Sequence, residues 1–203
     1  MAKIDHNILV ETEAFVTKLL NNELSEHCHY HTINHTTDVV RNAEIIGEYT
    51  GLDQESKDIL KVSAWFHDVG YIDSYENHEK RSAEYAETFL RLKEIDEPII
   101  NQVTRSIMAT RMPQQPEDLI SKILCDADLM NMTFEDYIEH IELMRREWVK
   151  IKKIKINDHK AYIASLEFFK SHQFHSDYGL KVLQPKKEKT EALIREKINM
   201  TKG

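Results

Sequence analysis

Apolar residues recur at helical spacing along nearly the whole chain. Ile8, Leu9, Phe15, Val16, Leu19 and Leu20 form a first amphipathic stretch, three or four residues apart as one face of a helix requires. The same periodicity predicts helices over about 35–49, closed by Gly51, and over 53–69, opened by the capping sequence Asp53-Gln54-Glu55-Ser56 and stopped by Gly70. Further helices are predicted over 77–92, 97–109, 116–130 with Pro116 in the first turn, 134–156, 158–169 and 187–200. No β-alternation and no internal repeat interrupts the pattern. The expectation is an all-α fold in one domain, with a core over about 19–132 and a helical extension over about 133–203.

Composition sharpens this picture in three places. Only 5 Gly and 4 Pro occur in 203 residues, which suits long helices joined by short loops and disfavours an all-β chain rich in tight turns. No apolar run reaches the roughly 18 residues of a membrane span, and residues 1–10 have no apolar signal-peptide core. Cys28 and Cys125 form no metal or redox motif. The plain expectation is a cytoplasmic protein with no membrane partner. The formal net charge of -8 argues against duplex nucleic acid, whose phosphates need a basic surface. The charge is uneven, however: over 181–203, Lys181, Lys186, Lys187, Lys189, Arg195, Lys197 and Lys202 stand against three glutamates. That run is either a solvated helix face or a set of lysines turned towards substrate phosphate.

The chemistry concentrates in one ordered set: His35, then His67-Asp68, then Asp126-Ala127-Asp128. Imidazole nitrogen and carboxylate oxygen together suit a divalent cation such as Mn, Mg, Zn, Fe or Co. Four protein ligands leave coordination positions open for water or substrate, which points to catalysis. The apolar run Val62-Ser63-Ala64-Trp65-Phe66 delivers His67 and Asp68 from a buried helix, where unpaired polar groups are costly and a partner is demanded. Residues i and i+2 face different sides of a helix, so one of Asp126 and Asp128 is expected as a ligand.

These motifs, in the settings Tyr30-His31-Thr32-Ile33-Asn34-His35-Thr36, Phe66-His67-Asp68-Val69-Gly70 and Asp126-Ala127-Asp128-Leu129, closely resemble the HD-domain superfamily of metal-dependent phosphohydrolases. The resemblance covers roughly residues 19–132. It implies a helical bundle with one divalent cation on His35, His67, Asp68 and Asp128, the last favoured over Asp126 because Leu129 follows it. Two-metal members add histidines after the His-Asp pair; this chain offers only His78, and Ala109-Thr110-Arg111 stands where another often lies. Some nucleotidase and alarmone-hydrolase members carry an acid where this chain has Tyr71 and Ile72.

The implied activity is hydrolysis of a small phosphorylated substrate, a nucleotide first among the possibilities, by metal-activated water. Asp68 would hold the metal and accept a proton, and His78 would protonate the leaving oxygen. Arg81, Arg105 and Arg111 are candidate phosphate clamps. His175 and Lys187, with Phe174 or Tyr178 as a base-stacking surface, are candidate substrate contacts from the C-terminal third, which is expected to complete the pocket. The alternative is a non-catalytic metal- or nucleotide-binding regulatory module. A di-iron oxygenase on the same fold ranks below both, because it needs more histidines than His78.

Overall fold

The computed structural model describes residues 2–201. They form nine α-helices with no strand among the described residues, only an isolated bridge between Ala2 and Ile95. The fold is all-α. By their contacts the residues fall into two compact units, one of Met1–Ser25 with His31–Asp128, the other of Glu26–Tyr30 with Leu129–Gly203.

The first unit holds α1 (His6–Glu23), α2 (Ile33–Thr50), α3 (Gln54–Phe66), α4 (His78–Leu92), α5 (Glu97–Ala109) and α6 (Leu119–Asp128). Helix α3 lies at its centre, against α1, α2, α4, α5 and α6. The reason is compositional: its last two turns, from Ile59 to Phe66, are buried nearly all round, and a helix that is apolar on every side must be enclosed. Phe66 is fully buried and packs with Phe15 and Phe89, ring centroids 6.1 and 5.5 Å away. Burying one such ring is worth about 1.5–3 kcal/mol. Asp53 caps α3 by accepting from Ser56 N at 2.8 Å, and Gly51 takes the left-handed φ of 70° that ends α2.

Two predicted boundaries shift for local reasons. Helix α6 begins at Leu119, not Pro116, because the Asp118 carboxylate accepts from Ser121 N at 2.9 Å and sets the start there. Helix α3 ends at Phe66, and a 3-10 turn over Val69–Ile72 follows.

The second unit holds α7 (Tyr137–Lys150), α8 (Asp158–Ser171) and α9 (Gln184–Met200). Its core is Met132, Tyr137, Ile141, Ala161, Tyr162, Phe169 and Ile194. The predicted 134–156 helix is shorter at both ends. Its C-terminal part is irregular, with Lys153 at a φ of 54°, and Asn157 opens α8 by accepting from Lys160 N at 3.0 Å. Part of the predicted loop after α8 is a π-helical turn over Gly179–Leu183 that runs directly into α9.

Candidate metal centre

Three elements of the first unit converge on one point. His35 lies in the first turn of α2, His67 and Asp68 follow α3, and Asp128 is the last residue of α6. One nitrogen each from His35 and His67 and one oxygen from Asp128 lie within 4.8 Å of one another. His35 Nε2 stands 3.2 Å from Asp128 Oδ1 and 3.4 Å from Asp68 Oδ2. His67 Nε2 stands 3.2 Å from Asp68 Oδ2 and 3.6 Å from Asp128 Oδ1.

Backbone geometry explains how adjacent residues share this point. Consecutive side chains on a helix diverge by about 100°. His67 keeps helical dihedrals, but Asp68 turns to φ -112°, ψ 4°, and its carboxylate swings back to the imidazole. The approach of α2 to α6 is fixed by Asn42, whose Nδ2 donates to Ala127 O at 3.2 Å. Asn42 is two turns beyond His35 and therefore on the same face of α2. Asp126 is fully buried and outside the three-residue cluster, as the i, i+2 argument anticipates.

The residues fit a cation. His67 is fully buried, and its Nδ1 lies 2.8 Å from Ala64 O. A carbonyl only accepts, so Nδ1 carries a hydrogen, and in the neutral ring, the form that binds a cation, Nε2 presents a lone pair. That Nε2 and Asp68 Oδ2 are both buried without a hydrogen-bond partner, a costly state unless something else satisfies them. Electrostatics agree. Burial opposes protonation of His35, but the Asp128 and Asp68 carboxylates outweigh it and raise its pKa to about 9. Burial likewise opposes charge on His67, and the same acids raise it well above the usual imidazole value. Burial would raise both carboxylates, yet the facing imidazoles hold Asp68 well below and Asp128 below the usual range. Protons thus stand where a cation's positive charge would stand.

His78, the first residue of α4, brings Nε2 to 3.5 Å from Asp68 Oδ1. Burial lowers its pKa. This approach depends on Gly70: a Cβ there would lie 2.1 Å from His78 O and 2.8 Å from Ser82 N. Gly70 N also donates to Ser82 Oγ at 2.9 Å. Gly70 therefore permits contact of the turn with α4, a different role from the helix stop expected of it.

The other expected residues are dispersed. Arg81 is half-exposed and pairs with Glu84 at 2.8 Å. Arg105 is similarly exposed, 3.7 Å from Asp118. Arg111 donates to Asn77 Oδ1 at 3.2 Å, next to His78, and lines a cleft of about 500 Å³ with Arg105, Met108 and Met112. His175 and Lys187 belong to the second unit. His175 is half-buried, its ring edge-on to His172. Lys187 is buried, and its ammonium donates to the carbonyls of Phe169 at 2.7 Å and His172 at 2.5 Å. Phe174 is 1% exposed, so its ring has no free face for a base. Sequence reading missed Asn42, and it gave no role to His31 and Tyr71, which pack beside His78.

Residues 32–133, just over half the chain, match the family model of the HD domain. The chain belongs to the HD domain family. Membership puts it in a superfamily of metal-dependent phosphohydrolases. Solved structures share the fold at low identity. A protein from Lactobacillus plantarum has a TM-score of 0.72 at 13% identity, over 98% of this chain and 97% of that one. Bacillus subtilis YpgQ in complex with ADP has 0.65 at 18% identity, over 96% and 95%. A predicted HD superfamily hydrolase from an uncultured Thermotogales bacterium has 0.61 at 19%, over 95% and 90%. No curated protein matches the chain. Among the described residues, no helix is long and apolar enough to cross a membrane.

Proposed function

We propose that this HD protein is a phosphohydrolase acting on a small phosphorylated substrate, a nucleotide first among them, with one divalent cation held by His35, His67, Asp68 and Asp128. The observation that carries the reading is the pair of buried polar atoms His67 Nε2 and Asp68 Oδ2, which face each other at 3.2 Å and have no hydrogen-bond partner. A divalent cation there supplies Lewis acidity, drawing charge from phosphoryl oxygens and lowering the pKa of bound water from about 16 towards about 7.

The chain's own residues supply the rest. Asp68 presents Oδ2 to the two imidazoles and Oδ1 to His78, so one carboxylate can hold the cation and take a proton from the attacking water. His78, 3.5 Å away, is within reach to receive that proton and pass it to the leaving oxygen. Arg111 is the favoured phosphate or leaving-group contact, because Asn77 ties it to the residue beside His78; Arg81 turns to Glu84. The ADP complex of the similarly folded YpgQ supports testing nucleotides first.

The test is to incubate Mn²⁺-loaded protein with nucleoside mono-, di- and triphosphates and simple phosphomonoesters, reading phosphate and pyrophosphate release. Release that EDTA abolishes and Mn²⁺ restores is expected. Tight Mn²⁺ binding with no release from any of these compounds would overturn the reading in favour of a regulatory module.

A further inference from the structure

Beside the metal centre, three rings form a stack with Tyr71 in the middle. The Tyr71 and His78 rings have centroids 3.9 Å apart at 16°. On the other face, His31 stacks at 4.1 Å and 27°. The Tyr71 hydroxyl lies 3.1 Å from His31 Nε2. Tyr75 closes the side, edge-on to Tyr71 at 5.0 Å and to His31 at 5.8 Å. The His31 ring reaches the His35 ring edge-on at 5.9 Å.

We propose that Tyr71 is a positioning residue: it holds the imidazoles of His78 and His31 on its two faces and fixes them beside Asp68. The inference rests on the reading of His78 as the group that handles the proton at this centre. Three features support it. First, Tyr71 N donates to Asp68 O at 3.1 Å, so the backbone that carries Tyr71 is tied to that of Asp68. Second, His78 begins α4 directly after Asn77 at a φ of 58°, so no preceding helical turn restrains its ring. The restraint comes instead from stacking, with Gly70 admitting the His78 backbone. Third, Tyr71 is only 9% exposed, and both its faces are taken by rings. It is thereby placed to orient other side chains, and its hydroxyl is used on His31. An aliphatic residue of similar volume would fill the space without giving either ring an orientation.

Orientation of a proton-handling group matters because a misplacement of about 1 Å can cost about 100-fold in rate. The experiment compares wild type, Tyr71→Phe and Tyr71→Leu. Turnover is measured on p-nitrophenyl phosphate and ATP with Mn²⁺. Side-chain ¹⁵N spectra of histidine-labelled, Mg²⁺-loaded protein are assigned with His78→Gln and His31→Gln. Tyr71→Leu is expected to lower kcat by about 10- to 100-fold with KM within about two-fold, and to move the His78 signals towards those of a free imidazole. Tyr71→Phe keeps the stack and loses the hydroxyl: His78 signals and most of kcat should return, while the His31 Nε2 signal shifts.

Wild-type His78 signals in Tyr71→Leu would overturn the proposal, as would moved signals with unchanged kcat. Should wild type turn over neither these two compounds nor any of the wider set above, the phosphohydrolase reading fails, and the positioning of the two rings is judged by the spectra alone. Should Tyr71→Leu fail to fold, Tyr71→Phe decides: an unmoved His31 signal overturns the proposal.

Discussion

Two buried polar groupings in this chain have opposite fates. In the first unit, His67 Nε2 and Asp68 Oδ2 are buried with no hydrogen-bond partner. In the second, the buried ammonium of Lys187 donates to two carbonyls, Phe169 O and His172 O. Those carbonyls belong to the C-terminal end of α8, where the last helical acceptors lack intrahelical donors, and a cation there also complements the helix dipole. The lysine is thus consumed by the fold, whereas the His-Asp group keeps lone pairs in reserve. A buried charge whose partners are all protein groups reads as architecture. One with atoms left over reads as a place for something the chain itself does not contain.

The sharpest way to break this comparison is Asp68→Ala. It removes the carboxylate that touches both imidazoles and His78, while folding rests on the apolar faces of α1 to α6. Metal assistance is worth several kcal/mol of transition-state stabilisation, so kcat/KM should fall by roughly 1,000-fold or more, with helicity by circular dichroism intact. Retained turnover with Mn²⁺ supplied would remove Asp68 from the mechanism; a variant that unfolds would make the metal structural. Gly70→Ala should come next. A Cβ at 2.1 Å from His78 O forces backbone of the turn or of α4 to move, and overpacking of this kind typically costs about 1–3 kcal/mol. Urea unfolding should report that loss, and kcat should fall with it because His78 moves too. A variant as stable and active as wild type would show that the contact is not needed.

How much of this was legible beforehand follows from which signals are local. The long helices and the all-α class were readable because apolar periodicity is written along the chain. For His67, Asp68 and one of Asp126 and Asp128, a shared partner was expected because polar residues after buried apolar runs demand one; His35 and the choice of Asp128 rested on the resemblance to the HD superfamily. Gly70 was seen but given the wrong role: nothing in the sequence tells a helix stop from a point where a distant backbone presses close. Tyr71 was noted only as the absence of an acid. Its stack joins residues 31, 71 and 78 across a loop, a turn and a helix start, where no periodicity links them. Lys187 sits in a basic run that read either as a solvated helix face or as a set of lysines turned to substrate phosphate, and neither reading has its ammonium bonded to the chain. Only the packing of α8 against α9 shows its ammonium turned to carbonyls.

The metal-free protein offers a third test, through pH. The pKa of His35 is raised from 6.5 to about 9 by Asp128 and Asp68, which overcome its burial. A group whose folded pKa lies above its unfolded one adds stability that is fully present below about pH 6.5 and lost as pH rises through about 9. In EDTA, the stability advantage of wild type over His35→Gln should therefore shrink between pH 6.5 and 9.5, by an amount on the order of 2 kcal/mol. Saturating Mn²⁺ should reverse the trend, since cation and proton compete for the same nitrogen. An advantage that does not change with pH in EDTA would mean that the His35 ring carries no proton between the acids.

The smallest expected effect belongs to the other side of the comparison. Lys187→Met keeps most of the side chain's apolar length and removes its donors, leaving the carbonyls of Phe169 and His172 without this partner. Hydrogen bonds from a charged donor contribute about 1.5–3 kcal/mol each when both ends are buried. Removing the ammonium also relieves its desolvation, and burial already lowers the Lys187 pKa, so the two changes partly cancel. The net loss should be about 1–2 kcal/mol, read as a lower urea midpoint with an unchanged slope. The discriminating measurement is its dependence on phosphate. If Lys187 serves only α8, adding phosphate or ADP should stabilise wild type and the variant equally. A wild type that phosphate stabilises and a variant that it does not would return Lys187 to the substrate, and the contrast between the two buried groups would fail.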